Sequence, residues 1–135
     1  MVYLIVLGDI LFGGYFIISG INHFRHLEML TGYTQSKGVP MAKEMVILTG
    51  LMLVAGGFGI LWGSYTELAI FLLVAFLLIT SFTMHPFWKE SDQGVRMGEE
   101  VNFKKNMALV GALLMLLALP LPWMTVSALV VSMMF

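Results

Sequence analysis

Asp9 is the only carboxylate inside a long apolar stretch of this 135-residue chain. A charge within a membrane span is costly, and such residues commonly carry protons or bind ligands. Asp9 lies about two helical turns from the first residue, so it can also reach water or accept hydrogen bonds as a structural group. Both interpretations stay open, a functional intramembrane residue and a structural one.

Three histidines, His23, His26 and His85, fall at the ends of apolar stretches, on the side that also carries the basic residues. His23 and His26 are three residues apart and therefore share a helix face. Together with His85 or Glu28, they have suitable donor atoms for a metal or a haem iron. Their spacing matches no known metal motif, so we predict no metal site and treat them first as polar groups at helix ends.

Asn102 and Asn106 are about one helical turn apart, so Asn106 can point into a bundle and donate hydrogen bonds there. Asn22, His23 and His85 fall at the same end of neighbouring stretches. We predict that these five residues converge and that His85 forms a hydrogen bond within them, because buried polar groups need partners. Mutual satisfaction of these polar groups is the first interpretation, and ligand binding is the second.

The composition is that of a membrane protein, with 59% hydrophobic and 11% charged residues; soluble domains have about 25% charged residues. The net charge of −1 argues against a nucleic-acid partner, because nucleic-acid binding needs a basic face. The chain has no cysteine, which excludes disulfides, thiol catalysis and cysteine-ligated zinc or iron–sulfur centres.

Four apolar stretches are long enough to cross a membrane as helices, which takes about 20 residues each. They cover about 3–22, 45–62, 68–88 and 105–119. Pro120 and Pro122 disfavour a straight helix beyond the fourth stretch. An apolar tail, 123–135, then lies at the membrane interface or against a partner, and a kinked continuation is the alternative. The predicted fold is an all-α, integral membrane four-helix bundle in a single domain, 1–135.

An amphipathic helix at the membrane interface is predicted after the first span, from about Asn22 to Ser36. Apolar side chains repeat there every three residues and would face lipid or the bundle: Phe24, Leu27, Leu30 and Tyr33. In the second span, small residues four apart predict close helix packing: Ala55, Gly59 and Gly63.

All seven lysines and arginines lie in the two long connecting segments, 23–43 and 89–105. The positive-inside rule places these segments in the cytoplasm and both termini outside. We therefore predict a multi-pass protein of the inner (cytoplasmic) membrane, in contact with lipids and with other integral membrane subunits.

Several segments together, in their order and spacing, resemble the DoxX family of small four-helix membrane proteins. They are SGINHF (Ser19–Phe24), GYTQSKGVP (Gly32–Pro40), TGLMLVAGGFGILWG (Thr49–Gly63), TMHPFW (Thr83–Trp88) and VNFKKNMALVGALLM (Val101–Met115). The resemblance covers roughly Gly8 to Leu119. Asp9 departs from it, since many members have a basic residue at that place, and the apolar tail is longer than the family pattern.

The resemblance implies a membrane component linked to redox chemistry. Some members are described as the membrane part of a thiosulfate:quinone oxidoreductase, or as associated with a terminal quinol oxidase or with oxidative-stress complexes. The first hypothesis is an accessory or assembly subunit of a larger membrane-bound redox complex that binds no cofactor itself. The alternative is a quinone-binding subunit in which His23, His85 and Asn106 contact the quinone head group. A transporter is disfavoured, because Asp9 alone is ionisable within a span.

Overall fold

The computed structural model describes residues 2–118 and 126–134, and within these ranges it is helical and contains no strand. Its α-helices are α1 (Val2–Arg25), α2 (Leu27–Ser36), α3 (Ala42–Trp62), α4 (Thr66–Met84), α5 (Gln93–Ala118) and α6 (Val126–Met134), with a 3₁₀ turn at Phe87–Lys89. Four helices, α1, α3, α4 and α5, are long and apolar enough to cross a membrane. The predicted all-α membrane bundle is confirmed, and the chain is a multi-pass membrane protein.

The four long helices pack in the order α1, α3, α4, α5, each against the next. Their shared core consists of apolar side chains that are almost fully buried, among them Phe16, Leu53, Leu73 and Leu113. Large apolar side chains also cover the outer surface. Lipid tails are as apolar as these side chains, so this outer surface suits a hydrocarbon environment.

Glycines allow α1 and α3 to approach closely. A Cβ added at Gly13 would lie 2.7 Å from the carbonyl oxygen of Gly57, and one added at Gly20 would lie 2.7 Å from that of Gly50. These separations are too short for any larger residue, so the backbone contact requires glycine. Close backbone approach of this kind is how helices gain packing energy in lipid.

Only part of the predicted small-residue series in the second span is involved in helix packing. Gly59 packs against Ala69 of α4, where an added Cβ would lie 2.5 Å from the alanine Cβ. Ala55 is exposed, and Gly63 ends α3 with a φ of 75°. Sequence spacing identified the right helix, but the closest contacts with α1 use glycines on another face.

Helix α5 begins at Gln93, well before Lys105, where the sequence prediction placed the start of the fourth span. The side chain of Asp92 accepts a hydrogen bond from the backbone N–H of Val95 at 2.9 Å, as an N-cap does. Glu100 and Lys104 then pair one turn apart along the helix. These charged residues end the apolar stretch in the sequence, although they continue the helix.

Aromatic packing holds the early part of α5 against the end of α4. The ring of Phe103 lies edge-on to three others, with centroid distances of 5.4 Å to Phe82, 5.5 Å to Phe87 and 5.7 Å to Trp88. Pro86 follows His85 and prevents α4 from continuing to position 88. The 3₁₀ turn that replaces this last predicted helical turn therefore carries two of the three aromatic partners.

The predicted interfacial helix is α2, but it begins at Leu27 because α1 continues to Arg25 and a break at His26 separates the two. Gly38, with a φ of 77°, follows the end of α2, and its N–H donates to the carbonyl of Gln35 at 2.9 Å. This is the usual role of a glycine after a helix. Helix α2 packs against α1 and α3.

The two long connecting segments meet at one end of the bundle, where Lys37 and Glu90 form an ion pair of 3.1 Å. At the other end, α6 lies against α1 and α3. The predicted end of the fourth span at Leu119 and the turn with Pro120 and Pro122 lie outside the described residues. The described part of the apolar tail is thus a helix that contacts its own bundle.

Candidate functional site

A cavity of about 340 Å³ lies inside the bundle, at the end where α2 packs. Its wall combines side chains from α1, α2, α3, α4 and α5. The volume falls in the range of roughly 300–1,000 Å³ that is typical of small-molecule sites. The sequence-predicted residues His23, His85 and Asn106 all line this one cavity.

The cavity is apolar on its inner side and polar toward α2. Phe16, Leu53 and Leu77 are core residues of the bundle and form the apolar part. About two turns further along α1, His23 faces the cavity near Thr34, a buried residue of α2. A cavity with these two sides suits a ligand that has a polar head and an apolar body.

His23 is held by its own helix. Its Nδ1 lies 2.8 Å from the carbonyl oxygen of Ser19, one turn earlier in α1. A carbonyl oxygen can only accept, so Nδ1 is the nitrogen that carries the hydrogen. The ring also lies edge-on to Phe76, with centroids 6.1 Å apart. The second nitrogen, Nε2, remains available to a ligand.

Glu99 collects hydrogen bonds from three elements at the polar end of the cavity. Its side chain is buried, and the Tyr33 hydroxyl of α2 donates to Oε1 at 2.7 Å. Lys37 donates to the same oxygen at 3.1 Å. The Nδ1 of His85, at the end of α4, lies 2.5 Å from Oε2. We refer to these four residues, Tyr33, Lys37, His85 and Glu99, as the Glu99 cluster.

The charges of the Glu99 cluster favour its hydrogen bonds. Burial, followed by the hydrogen bond to Glu99, raises the pKa of Tyr33 to about 12, so the hydroxyl keeps its hydrogen at neutral pH. Burial alone would lower the pKa of Lys37, but its hydrogen bonds to Glu90 and Glu99 outweigh burial and raise it. Lys37 is therefore an ammonium group, positioned to stabilise a carboxylate.

An ionised Glu99 accepts through both oxygens, which fixes the tautomer of His85. With Lys37 and Tyr33 donating to Oε1, the remaining oxygen accepts from His85. The hydrogen of a neutral His85 ring then sits on Nδ1, and its Nε2 is an acceptor. A carboxylate fixes the orientation and tautomer of the histidine in serine-protease triads in the same way.

Asn106 of α5 is 6% exposed and lines the cavity. Among the residues that the structure describes, none forms a hydrogen bond with its side-chain amide. The amide is not among the fully buried polar atoms without a partner, so it reaches open space, and the residue lines the cavity. There it can both donate to and accept from a water or a ligand.

The family comparison adds to this geometry. A family model described as DoxX matches residues 4–86, which is more than half of the chain. The chain belongs to the DoxX family. Membership confirms the resemblance and indicates a redox-associated role in a membrane. No curated protein and no solved structure matches the chain.

The DoxX match contains only part of the site. It includes His23, Tyr33, Lys37 and His85, whereas α5 follows the matched residues. The partners that α5 supplies, including Glu99, are therefore features of this chain beyond the matched DoxX region.

The structure brings together three of the five residues that were predicted to converge. Asn22 is exposed, and Asn102 accepts a hydrogen bond from Lys105 at 3.3 Å. His85 forms its hydrogen bond with Glu99 and not with a predicted neighbour. Glu99 precedes Asn106 by about two helical turns and so shares its face. That spacing could have revealed Glu99, had the helix been extended toward its N-terminus.

The remaining candidates lie away from the cavity. Asp9 is 6% exposed, and none of the described residues forms a hydrogen bond or ion pair with it; its role stays a prediction. His26 and Glu28 are exposed. Within 2–118 and 126–134, no three His, Asp or Glu side chains come close enough to hold a metal ion.

Proposed function

We propose that this DoxX protein is a subunit of a redox complex in the inner membrane and binds the head group of a quinone in its cavity. The observation that carries the proposal is the amide of the buried residue Asn106, which has no hydrogen-bond partner among the described residues and lines the same cavity as His23 and His85. Buried polar groups without protein partners are typical of ligand sites.

The chemistry of the cavity fits such a ligand. A quinone head is a flat, apolar ring with oxygen atoms on opposite sides, and it carries an apolar tail. Apolar side chains such as Phe16 and Leu77 would pack against the ring and tail, while Asn106 would hydrogen-bond an oxygen. When bound, a quinone supplies two-electron, two-proton redox chemistry, and the protein's residues supply binding and orientation.

The second candidate is an accessory or assembly subunit of the same kind of complex, without a ligand of its own. The Glu99 cluster favours it, because these polar groups satisfy one another across α2, α4 and α5. Their role would then be to hold the helices together. In this case, His85→Ala would lower bundle stability or complex assembly, with little separate effect on turnover.

The test is gentle extraction of the native protein with its lipids, followed by measurement of particle mass, optical spectrum and extractable quinone. We expect close to one quinone for each chain. Asn106→Leu should lower quinone content at least tenfold while helical content stays unchanged. The matched control is Asn102→Leu, one turn earlier and outside the cavity lining, which should retain quinone.

A large, stable assembly that contains no quinone on this chain would contradict the proposed site and favour the accessory role. The same conclusion would follow if Asn106→Leu kept its quinone. His85→Ala adds a second comparison. Weakened quinol-dependent activity with intact assembly supports binding, whereas lost assembly supports the structural alternative.

A further inference from the structure

The geometry points to a cavity that selects the reduced, hydroxyl-bearing form of its ligand, a hydroquinone or a related phenol, over the oxidised quinone. This inference rests on the proposed function and specifies its ligand. It follows from the hydrogen bonds that polar groups of the cavity wall already donate to other atoms of the protein. A ligand head that enters the cavity meets two histidine rings whose Nδ1 hydrogens are already donated to other protein atoms.

The first acceptor is Nε2 of His23. Its Nδ1 donates to the Ser19 carbonyl at 2.8 Å, and a carbonyl cannot donate in return. The neutral ring therefore has no hydrogen on Nε2. His23 lines the cavity from the last two turns of α1, and Nε2 is the ring nitrogen that can accept from a ligand.

The second acceptor is Nε2 of His85. Here the Nδ1 hydrogen is directed to Glu99, whose other oxygen is occupied by Tyr33 and Lys37. Glu99 acts as a positioning residue: it lies behind His85 and sets which ring nitrogen carries the hydrogen. Two histidines from different helices thus present the same kind of atom to one cavity.

Threonine hydroxyls in the cavity wall follow the same pattern. Thr49 donates to the carbonyl of Met45 at 2.7 Å, and Thr80 donates to that of Phe76 at 2.8 Å. Thr83 likewise donates to its own helix. Their oxygen atoms can still accept, but their hydrogens are committed to the backbone.

Five groups of the lining retain hydrogens. Two of them are the hydroxyls of Tyr15 and Ser19, which can both donate and accept. The amide of Asn106 and the hydroxyl of Thr34 can both donate and accept, so they suit either form of the ligand. Lys105 donates to Asn102 at 3.3 Å and also reaches the cavity wall. An oxidised quinone has only acceptor oxygens and would leave both histidine Nε2 atoms unpaired, whereas a hydroquinone supplies a hydrogen for each.

The experiment measures binding to the full chain in lipid nanodiscs by native mass spectrometry, with protein-free nanodiscs to correct for partition into lipid. One probe pair is decylhydroquinone and decylbenzoquinone under anaerobic conditions. A second pair, 4-nonylphenol and 4-nonylanisole, differs in the O–H hydrogen and is not redox-active under these conditions. We expect the hydroxyl-bearing member of each pair to bind at least tenfold more tightly, which corresponds to about 1.4 kcal/mol.

Two variants assign the preference to the histidines. His23→Phe keeps an aromatic ring beside Phe76 but removes the acceptor, and it leaves the Glu99 cluster intact. Glu99→Gln allows the amide to donate to Nδ1, which would place the hydrogen of His85 on Nε2. Each variant should reduce the preference at least threefold.

Binding of no probe would overturn the proposed quinone site itself. Equal binding within each pair, or tighter binding of the quinone and the anisole, would overturn only the selectivity. A preference that persists unchanged in both His23→Phe and Glu99→Gln would show that the histidine acceptors do not cause it. The inference is supported if either variant loses the preference for the hydroxyl-bearing probe while it still binds the other member of that pair.

Discussion

At the scale of single residues, Glu99 determines most of the chemistry at the polar end of the cavity. It receives hydrogen bonds from a tyrosine and a lysine at the end of α2 and from a histidine at the end of α4. Removal of its charge leaves Lys37 beside only Glu90 and releases the tautomer of His85. Its effects on stability and on titration can therefore be measured separately.

The titration of Tyr33 should report the Glu99 contact directly. Tyrosine ionisation followed at 295 nm should contain a component with a pKa of about 12, and Tyr33→Phe should remove it. In Glu99→Gln the midpoint of this component should fall toward the ordinary value of 10.0, because a hydrogen bond and a negative charge are lost. An unchanged midpoint in Glu99→Gln would contradict the contact.

Alkaline pH should destabilise the protein through the same groups. The pKa of Tyr33 is raised from 10.0 to about 12, and that of Lys37 is raised from 10.5. The folded state holds both protons more tightly, so their stabilisation is complete below about pH 10 and is lost as pH rises through about 12. The thermal midpoint should fall over this interval, and less steeply in Tyr33→Phe.

Glu99→Gln should also lower stability at neutral pH, by about 2 kcal/mol, because charged hydrogen-bond partners lose their carboxylate. The matched control is Glu100→Gln on the next residue, whose partner Lys104 is 70% exposed. Exposed ion pairs contribute little, so the control should unfold close to the wild type. Equal thermal midpoints for the two variants in the same detergent would refute a stabilising role for the cluster.

Three residues of the candidate site could be predicted from the sequence, but Glu99, the partner of His85, could not. His23, His85 and Asn106 were identifiable because each is polar at the end of an apolar stretch. Glu99 falls in a polar connecting segment with two glycines, where the sequence indicates a short helix and no buried group. Its burial depends on α2 folding back over it, a long-range contact that local sequence does not specify.

At the scale of helices, α1 and α3 cross with backbone packed directly against backbone. Gly13 touches the backbone of Gly57, whereas its neighbour Gly14 has no atom within 4 Å of the position of an added Cβ. The two residues are adjacent and identical in type, but Gly13 faces α3 and Gly14 faces open space. They form a matched pair for a test of the crossing.

Gly13→Ala should destabilise the bundle by about 1–3 kcal/mol, since the added methyl group forces two backbones apart. Gly14→Ala should be neutral or slightly stabilising, because alanine favours a helix and meets open space. The measurement is the free energy of unfolding in mixed detergent micelles, followed by circular dichroism. Similar destabilisation by both substitutions would argue that helix propensity, and not the crossing, sets the effect.

Helix positions followed from the sequence more readily than helix ends. Most of each apolar stretch lies in α1, α3, α4 or α5, because about 20 apolar residues are required to cross a bilayer. The start of α5 at Gln93 did not follow, as it depends on a side-chain cap and on Phe103 packing against aromatic rings of another element. Hydropathy identifies segments that are apolar enough to cross a membrane, but it does not depend on such side-chain contacts.

At the scale of the whole molecule, the polar end of the cavity lies with the two basic connecting segments, because Lys37 of one segment pairs with Glu90 of the other. The positive-inside rule predicts that this end faces the cytoplasm. The α3–α4 connection, with exposed Ser64, lies at the opposite end of the bundle from exposed Ser91. The two serines therefore mark the two sides of the membrane.

The orientation can be measured with single cysteines, since the natural chain has none. We expect Ser64→Cys to react with a membrane-impermeant maleimide added to intact cells, and Ser91→Cys to react only after the membrane is made permeable. Labelling of position 91 but not of position 64 in intact cells would reverse the predicted orientation.

Helix α2 lies across the polar end of the cavity, where Leu30, Tyr33 and Thr34 form part of its wall. Tyr33 and Lys37, both bonded to Glu99, join α2 to α5 on this side. Ile79 of α4 lines the cavity and is also 60% exposed on the outer surface of the bundle, so the cavity wall reaches the surface that suits lipid. A lipophilic guest can therefore arrive sideways, between helices, from the surrounding bilayer. Occupancy of the cavity should consequently depend on the mole fraction of the guest in the lipid, which acts as a two-dimensional reservoir. It should not change with the volume of water around the membrane.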